Sequence, residues 1–369
     1  MKICILSMQE INNMGSLLQA YALKKILSNL GNSVEFLDIQ RREEDYILLG
    51  DYRKKFDDES EGDAFCNKID KFLFNRIKMK NKCLKQHEIF SHFRQEQLDV
   101  NKKSKTYDLC VIGSDEVFNC LGAGKWGFTT QLFGNVIEAN EVITYAASCG
   151  FTVYDNVPLE IINRIKKAFE RIKAFSARDK NTHLFISKLT NKAITDNLDP
   201  VLVYNFTREL EQTALPALPE RYCIVYSYYN RIHDENEIQA ILNFCKENKL
   251  TPIAIGAPQF WISDYIVCTP FQCLKIFERS SYVITDTFHG TIFSAKYAKK
   301  FAILIRESNK NKLSDLVEKL NIQEHLIDNM NNIGIKYKDF DDRTKLENIM
   351  QKEYQHTLTY LMHNTNKAT

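Results

Sequence analysis

Charge of one sign is in short supply. The 369 residues carry 49 Lys+Arg against 47 Asp+Glu, a formal net charge of +2. No strong field is there to gather nucleic acid or an anionic membrane surface. No run approaches the ~20 apolar residues that cross a bilayer. The amino terminus, MKICILSMQE, has no small-residue cleavage site and turns polar at Gln9 and Glu10. It reads as a buried first strand rather than a leader, so a cytoplasmic location is expected. G-x-G-x-x-G is absent, which removes the dinucleotide fingerprint. Ten cysteines are present, but Cys4, Cys110 and Cys223 sit in apolar runs, and the Cys268/Cys273 pair has no second pair near it. Neither a disulfide framework nor a zinc or other metal site is expected. Tryptophan is limited to Trp126 and Trp261, both in loop-like stretches, where contact with a ligand competes with chance placement.

What is present is apolar material for two cores, at 44% hydrophobic residues. An apolar strand over residues 2–7 is followed by the polar turn Asn12-Asn13-Met14-Gly15-Ser16, a helix over 17–30 closed by Gly31, and a strand over 34–39. A charge-dense run from about 40 to 105 is too long for a plain loop and reads as a helical insertion with a solvated face. Strands follow at 107–112, ending in Gly113-Ser114-Asp115-Glu116, at 141–147, and at 174–177, ending in Arg178-Asp179. TALPALPE (213–220) holds two of the seven prolines and marks a linker. The alternation then restarts through strands at 222–228, 252–255, 282–285 and 301–305. The expected architecture is α/β: two parallel-sheet, Rossmann-like domains facing a cleft. The domains are 1–212, with the insertion, and 213–341. A last helix and tail, 342–369, is positioned to pack back on the first domain.

The stretch SYVITDTFHGTIFSAKYAKKFA carries the strongest local signal. A strand ends at Thr285-Asp286-Thr287, and a helical pattern begins at Phe288-His289-Gly290-Thr291. In open α/β sheets ligands bind at the carboxyl ends of strands, and a helix amino end favours an anion. That places His289 in the expected site.

Six stretches taken in order resemble the polysaccharide pyruvyl transferase family: NMGSLLQAYALKKIL, YDLCVIGSDEVFN, YAASCG, FSARDKNT, LDPVLV and SYVITDTFHGTIFSAKYAKKFAIL. The resemblance spans roughly residues 1–320. It implies a fold similar to the glycosyltransferase-B architecture. It also implies transfer of the enolpyruvyl carbons of phosphoenolpyruvate to a sugar of a surface polysaccharide or its lipid-linked precursor. The product is a pyruvate ketal and phosphate leaves, with no nucleotide cofactor. Glu116 and Phe118 stand where the family commonly has Gln and Trp, and Lys312 where it often has Arg.

On this resemblance His289 is the general acid or a ligand of the leaving phosphate, since imidazole titrates near neutrality. Asp115 is the base for the sugar hydroxyl or orients it, unless it only forms its turn. Arg178 and Lys312 are donor-binding cations, the alternative for Arg178 being a surface pair with Asp179. Gly290 permits close backbone approach to an anion, and Thr291 offers its hydroxyl and N–H. Asn13, Gly15 and Gln19 line the cleft or form plain turn and helix surface. Asp286 orients His289 or caps the helix. The expected partners are phosphoenolpyruvate and a glycan or lipid-linked sugar, the latter bringing peripheral contact with a membrane. The competing readings are a sugar-nucleotide glycosyltransferase of the same architecture, a catalytically weak glycan-binding member and, less strongly, thiol chemistry at Cys149.

Overall fold

A computed structural model describes residues 1–40, 73–122, 128–336 and 343–365. The first part of the insertion, Trp126 and the last four residues lie outside the described residues. Two six-stranded parallel sheets form the frame. In the first, β1 (Lys2–Leu6), β2 (Ser33–Phe36), β3 (Tyr107–Ile112), β4 (Ala139–Thr144), β5 (Ile172–Ala177) and β6 (Ile194–Asp196) lie in the order β2-β1-β3-β4-β5-β6. In the second, β7 (Tyr222–Tyr226), β8 (Thr251–Ile255), β9 (Asp264–Ile266), β10 (Tyr282–Thr285), β11 (Phe301–Leu304) and β12 (Leu326–Ile327) lie in the order β12-β11-β10-β7-β8-β9. The short edge strands β6, β9 and β12 offer too few residues to show a period in the sequence. The central strands β1, β3, β7 and β10 are apolar nearly throughout because helices cover both faces.

Each sheet reverses its winding once, between β1 and β3 and between β7 and β10. The loops leaving these strands open crevices at the two switch points. An apolar cluster continuous across the domains joins the two halves. It includes Leu17, Tyr21, Val201, Phe206, Phe288 and Ile292, so the interface resembles a core more than a hinge surface.

Two helices brace this arrangement. Arg343–Thr365 returns to the first domain, where the Tyr360 hydroxyl donates to the Thr144 carbonyl at 2.8 Å and Thr357 meets the Tyr145 hydroxyl at 3.0 Å. The helix Leu73–Phe93 is not only a solvated edge. Met79 enters the core of the second domain, and the buried Gln86 amide pairs with both the N–H and the carbonyl of Cys268. Charge density hid this strap, because only a few of its residues face inward. LDPVLV folds as the short helix Pro200–Val203, with Asp199 as its cap and Pro200 at its first turn.

Candidate active site

Backbone pairing beyond the strand ends sets the first half of the site. Isolated bridges link Asp115 to Ala147 and Ala147 to Ala177, and the Arg178 N–H donates to the Ala147 carbonyl at 2.9 Å. Asp115 and Arg178 are thereby carried to neighbouring positions at the carboxyl end of the sheet. Asp115 has a φ of 80°, which turns its side chain toward the first helix, Met14–Asn29. There Oδ2 accepts from the Ser16 hydroxyl at 2.8 Å, and Oδ1 lies 3.9 Å from the Arg178 guanidinium. Asn13 caps the same helix, its side-chain oxygen accepting from the Gly15 N–H at 2.8 Å.

Arg178 is buried, and its partner is Asp199 rather than Asp179. Nη1 donates to Asp199 Oδ2 at 2.9 Å, while Asp179 caps its own helix through Thr182. The guanidinium lies over the Phe288 ring at 4.2 Å, and Nε has no protein partner among the described residues. Burial alone would discharge Arg178, but the carboxylates of Asp199 and Asp115 outweigh it and raise its pKa.

The second domain supplies His289 from the helix Phe288–Tyr297. Nε2 is turned inward, 3.5 Å from Asp199 Oδ2, in ion-pair reach but longer than a formed hydrogen bond. Asp199 is fully enclosed. Burial would raise its pKa, yet His289, Arg178 and the Val201 N–H together lower it, so it stays a carboxylate. Sequence reading passed over Asp199 because an Asp before Pro at a helix start is explained by capping alone. Its place within the LDPVLV stretch was the available signal.

Lys312 reaches the site from the helix Lys310–Leu320 and pairs with Glu116 across the cleft. Burial would push the Glu116 carboxyl up, but the adjacent Lys312 ammonium prevails and holds it at about 2. Lys312 is likewise desolvated, and Glu116 still raises its pKa. A cavity of about 340 Å³ opens onto Asn13, Ser16, Asp115, Glu116, Arg178, His289 and Lys312. A smaller one, about 190 Å³, also borders His289.

Four expected site residues face elsewhere. Gly290 packs under Thr285, Thr287 and Tyr226, where a Cβ would fall 2.1 Å from Thr285 Oγ1, and its N–H is taken by the Thr287 cap. Thr291 spends both hydroxyl and N–H on the Thr287 carbonyl. These two therefore serve helix packing and capping, not an open anion cradle. Asp286 is enclosed against Arg306 Nε at 3.1 Å and Arg231 Nε at 3.7 Å, so it does not orient His289. Gln19 is buried, and neither amide atom has a partner among the described residues. Gly15 lies beneath the His289 ring itself.

Phe118 stacks on Phe133 at 5.0 Å inside the core. Trp261 is buried, with Nε1 donating to the Ile232 carbonyl at 2.9 Å, which removes it as a sugar platform. Cys149 is enclosed, and burial pushes its thiol pKa far up, against a nucleophilic role. Tyr228, which sequence reading missed, is 43% exposed and lines both cavities.

The sequence matches the model of the polysaccharide pyruvyl transferases over residues 13–308. No curated protein matches the chain. Among solved structures, the chain is similar to the Methanocaldococcus jannaschii UDP-GlcNAc 2-epimerase in complex with UDP-GlcNAc and UDP. That match has 10% identity and a TM-score of 0.50, and covers 98% of this chain and 100% of that one. It is also similar to Arabidopsis thaliana UGT89C1 complexed with UDP-L-rhamnose, at 11% identity and a TM-score of 0.50, covering 98% of each chain. At that identity the likeness establishes the fold, which is of the glycosyltransferase-B type.

Proposed function

Because the chain belongs to the polysaccharide pyruvyl transferase family, we propose that it transfers the enolpyruvyl carbons of phosphoenolpyruvate to a glycan as a pyruvate ketal. The observation that carries this reading is the convergence of buried Arg178 and Lys312 with His289 on one cavity between the domains. Phosphoenolpyruvate brings a carboxylate and a phosphate, each needing a cation in a site poor in water. Arg178 and Lys312 are the arginine and lysine that line this cavity among the described residues, and the donor takes Lys312 from Glu116 as it enters.

His289 acts as the acid. Its Nε2 faces the Asp199 carboxylate, which stabilises the imidazolium and leaves Nδ1 as the nitrogen on the Gly15 side of the ring. A proton passes to the methylene carbon of the donor, and C2 becomes an oxocarbenium-like electrophile. A sugar hydroxyl attacks C2, and Asp115 takes its proton. The C2–O bond to phosphate breaks, the second hydroxyl closes the ketal, and its proton leaves with the phosphate. The sum is one phosphoenolpyruvate and two hydroxyls giving one ketal and one phosphate.

Purified protein with phosphoenolpyruvate and a glycan panel is expected to release phosphate and to give products heavier by one pyruvate less one water. In deuterated water the ketal methyl is expected to carry deuterium, and His289→Asn to bind the donor without that incorporation. Absence of donor binding and of phosphate release with every acceptor, alongside binding of a UDP-sugar, points instead to a sugar-nucleotide enzyme.

A further inference from the structure

Two substrates must meet at His289, and two cavities do. The larger holds the charged groups described above. The smaller sits at the carboxyl ends of β7, β8 and β10, and among the described residues no Asp, Glu, Lys or Arg lines it. Its wall includes Asn13, Ser227, Tyr228, Ala257, Thr287 and His289. Only Asn13, Tyr228 and His289 belong to both.

We propose that this smaller cavity is the acceptor subsite and that it takes one uncharged pyranose ring. The proposal rests on the pyruvyl-transfer reading and deepens it. Ser227 is 4% exposed, and its hydroxyl has no partner among the described residues. An enclosed hydroxyl without a partner is costly, and a sugar hydroxyl satisfies it. Asn13 spends its carbonyl oxygen on the helix cap, which leaves its NH2 group for a second sugar oxygen. Tyr228 offers a half-exposed aromatic face to the ring's C–H face, with Arg231 over its ring at 5.2 Å. Among the described residues the lining offers a carboxylate or phosphate no lysine or arginine, and the Thr287 hydroxyl already caps the neighbouring helix, so the wall suits a neutral ligand better than an anion. A ring here lies beside Asn13, Tyr228 and His289, which line both cavities, so its hydroxyls border the donor cavity.

The test uses methyl hexopyranosides as probes, read by saturation-transfer NMR, with phosphoenolpyruvate and inorganic phosphate titrated separately by calorimetry. At least one glycoside is expected to bind the parent protein. Ala257→Phe, which fills the cavity, is expected to abolish that signal. Ser227→Ala is expected to weaken it by about fivefold, the scale of one lost hydrogen bond. Phosphoenolpyruvate affinity is expected to stay unchanged in both. If Ala257→Phe loses its melting transition, Ser227→Ala decides.

The proposal is overturned by glycoside binding that survives these changes, or by failure of every glycoside to bind the parent. Loss of phosphoenolpyruvate or phosphate affinity in Ala257→Phe but not in Lys312→Ala overturns it too, since the anion then lies here. Failure of the donor to bind parent and variants alike counts against the pyruvyl-transfer reading alone, because the glycoside result is read without it.

Discussion

The imidazole of His289 lies on the backbone of Gly15: a Cβ built there would fall 2.1 Å from Nδ1 and 2.2 Å from Cγ. The contact joins the first turn of the first domain to the histidine helix of the second. Gly15 is therefore constrained by its neighbour, independent of any turn requirement. Gly15→Ala is expected to displace the ring and to cost about 1–3 kcal/mol of stability, as overpacking does. The expected kinetic signature is a fall in turnover of at least about 100-fold, since the ring that the proposed mechanism uses as the acid has moved. Melting curves and phosphate-release rates check it. Parental turnover in Gly15→Ala would show that His289 tolerates another position.

Asp199 joins the two halves of the chemistry, touching Arg178 at 2.9 Å and His289 at 3.5 Å with no exposed surface. Asp199→Asn leaves the Arg178 guanidinium buried without its counter-charge, a change that typically costs about 3–5 kcal/mol. Turnover is expected to fall by about 10²–10⁴-fold, as for loss of acid catalysis. The double variant Arg178→Met/Asp199→Asn isolates the stability effect and is expected to regain much of the melting temperature.

Both halves of the site come from strand-turn-helix stretches whose apolar period and polar stop are local, and these were legible in the sequence. Arg178 follows its buried strand directly, while Asp115 lies in the turn after Ile112 and His289 in the first turn of the helix after Thr285. The pairings were not legible. Glu116 and Lys312 are 196 residues apart, and Asp199 joins a residue of each domain. No local period encodes such contacts. Helix phase also misled: Gly290 and Thr291 follow His289 directly, but they point into the packing of the helix on β10 and β7. Adjacency in sequence does not confer a shared face on a helix.

Lys296 lies on the same helix as His289 and donates to the carbonyls of Val201, Leu202 at 3.2 Å, and Tyr204. These carbonyls end the short helix whose cap is Asp199. One helix thus sets both the histidine and the segment bearing its carboxylate partner. Lys296→Met is expected to strand buried carbonyls and lower stability by about 1–3 kcal/mol. Turnover is expected to fall more than phosphoenolpyruvate affinity, because Asp199 holds His289 as well as Arg178 while Lys312 is untouched. Equal losses in affinity and turnover would mean that the whole cleft, rather than the Asp199 segment, depends on this lysine.

Glu116 pairs with Lys312 in the larger cavity, and on the proposed reading it competes with the donor for that cation. Glu116→Gln keeps a hydrogen bond to Lys312 but removes the negative charge. It is expected to tighten phosphoenolpyruvate binding by about tenfold, or about 1.4 kcal/mol. Stability changes in the opposite sense, with a definite pH window. The Glu116 carboxyl titrates at about 2 in the folded chain against an ordinary 4.5. A depressed acid contributes stability above its unfolded value and loses it as pH falls through the folded one. The parent is therefore expected to lose this contribution progressively from pH 4.5 down to about 2. Glu116→Gln lacks it at every pH, so the two denaturation profiles converge at the acid end. Denaturant titrations across that range, with donor calorimetry at neutral pH, check both arms. Weaker donor binding in Glu116→Gln would show that Glu116 holds Lys312 in place for the donor instead of competing with it.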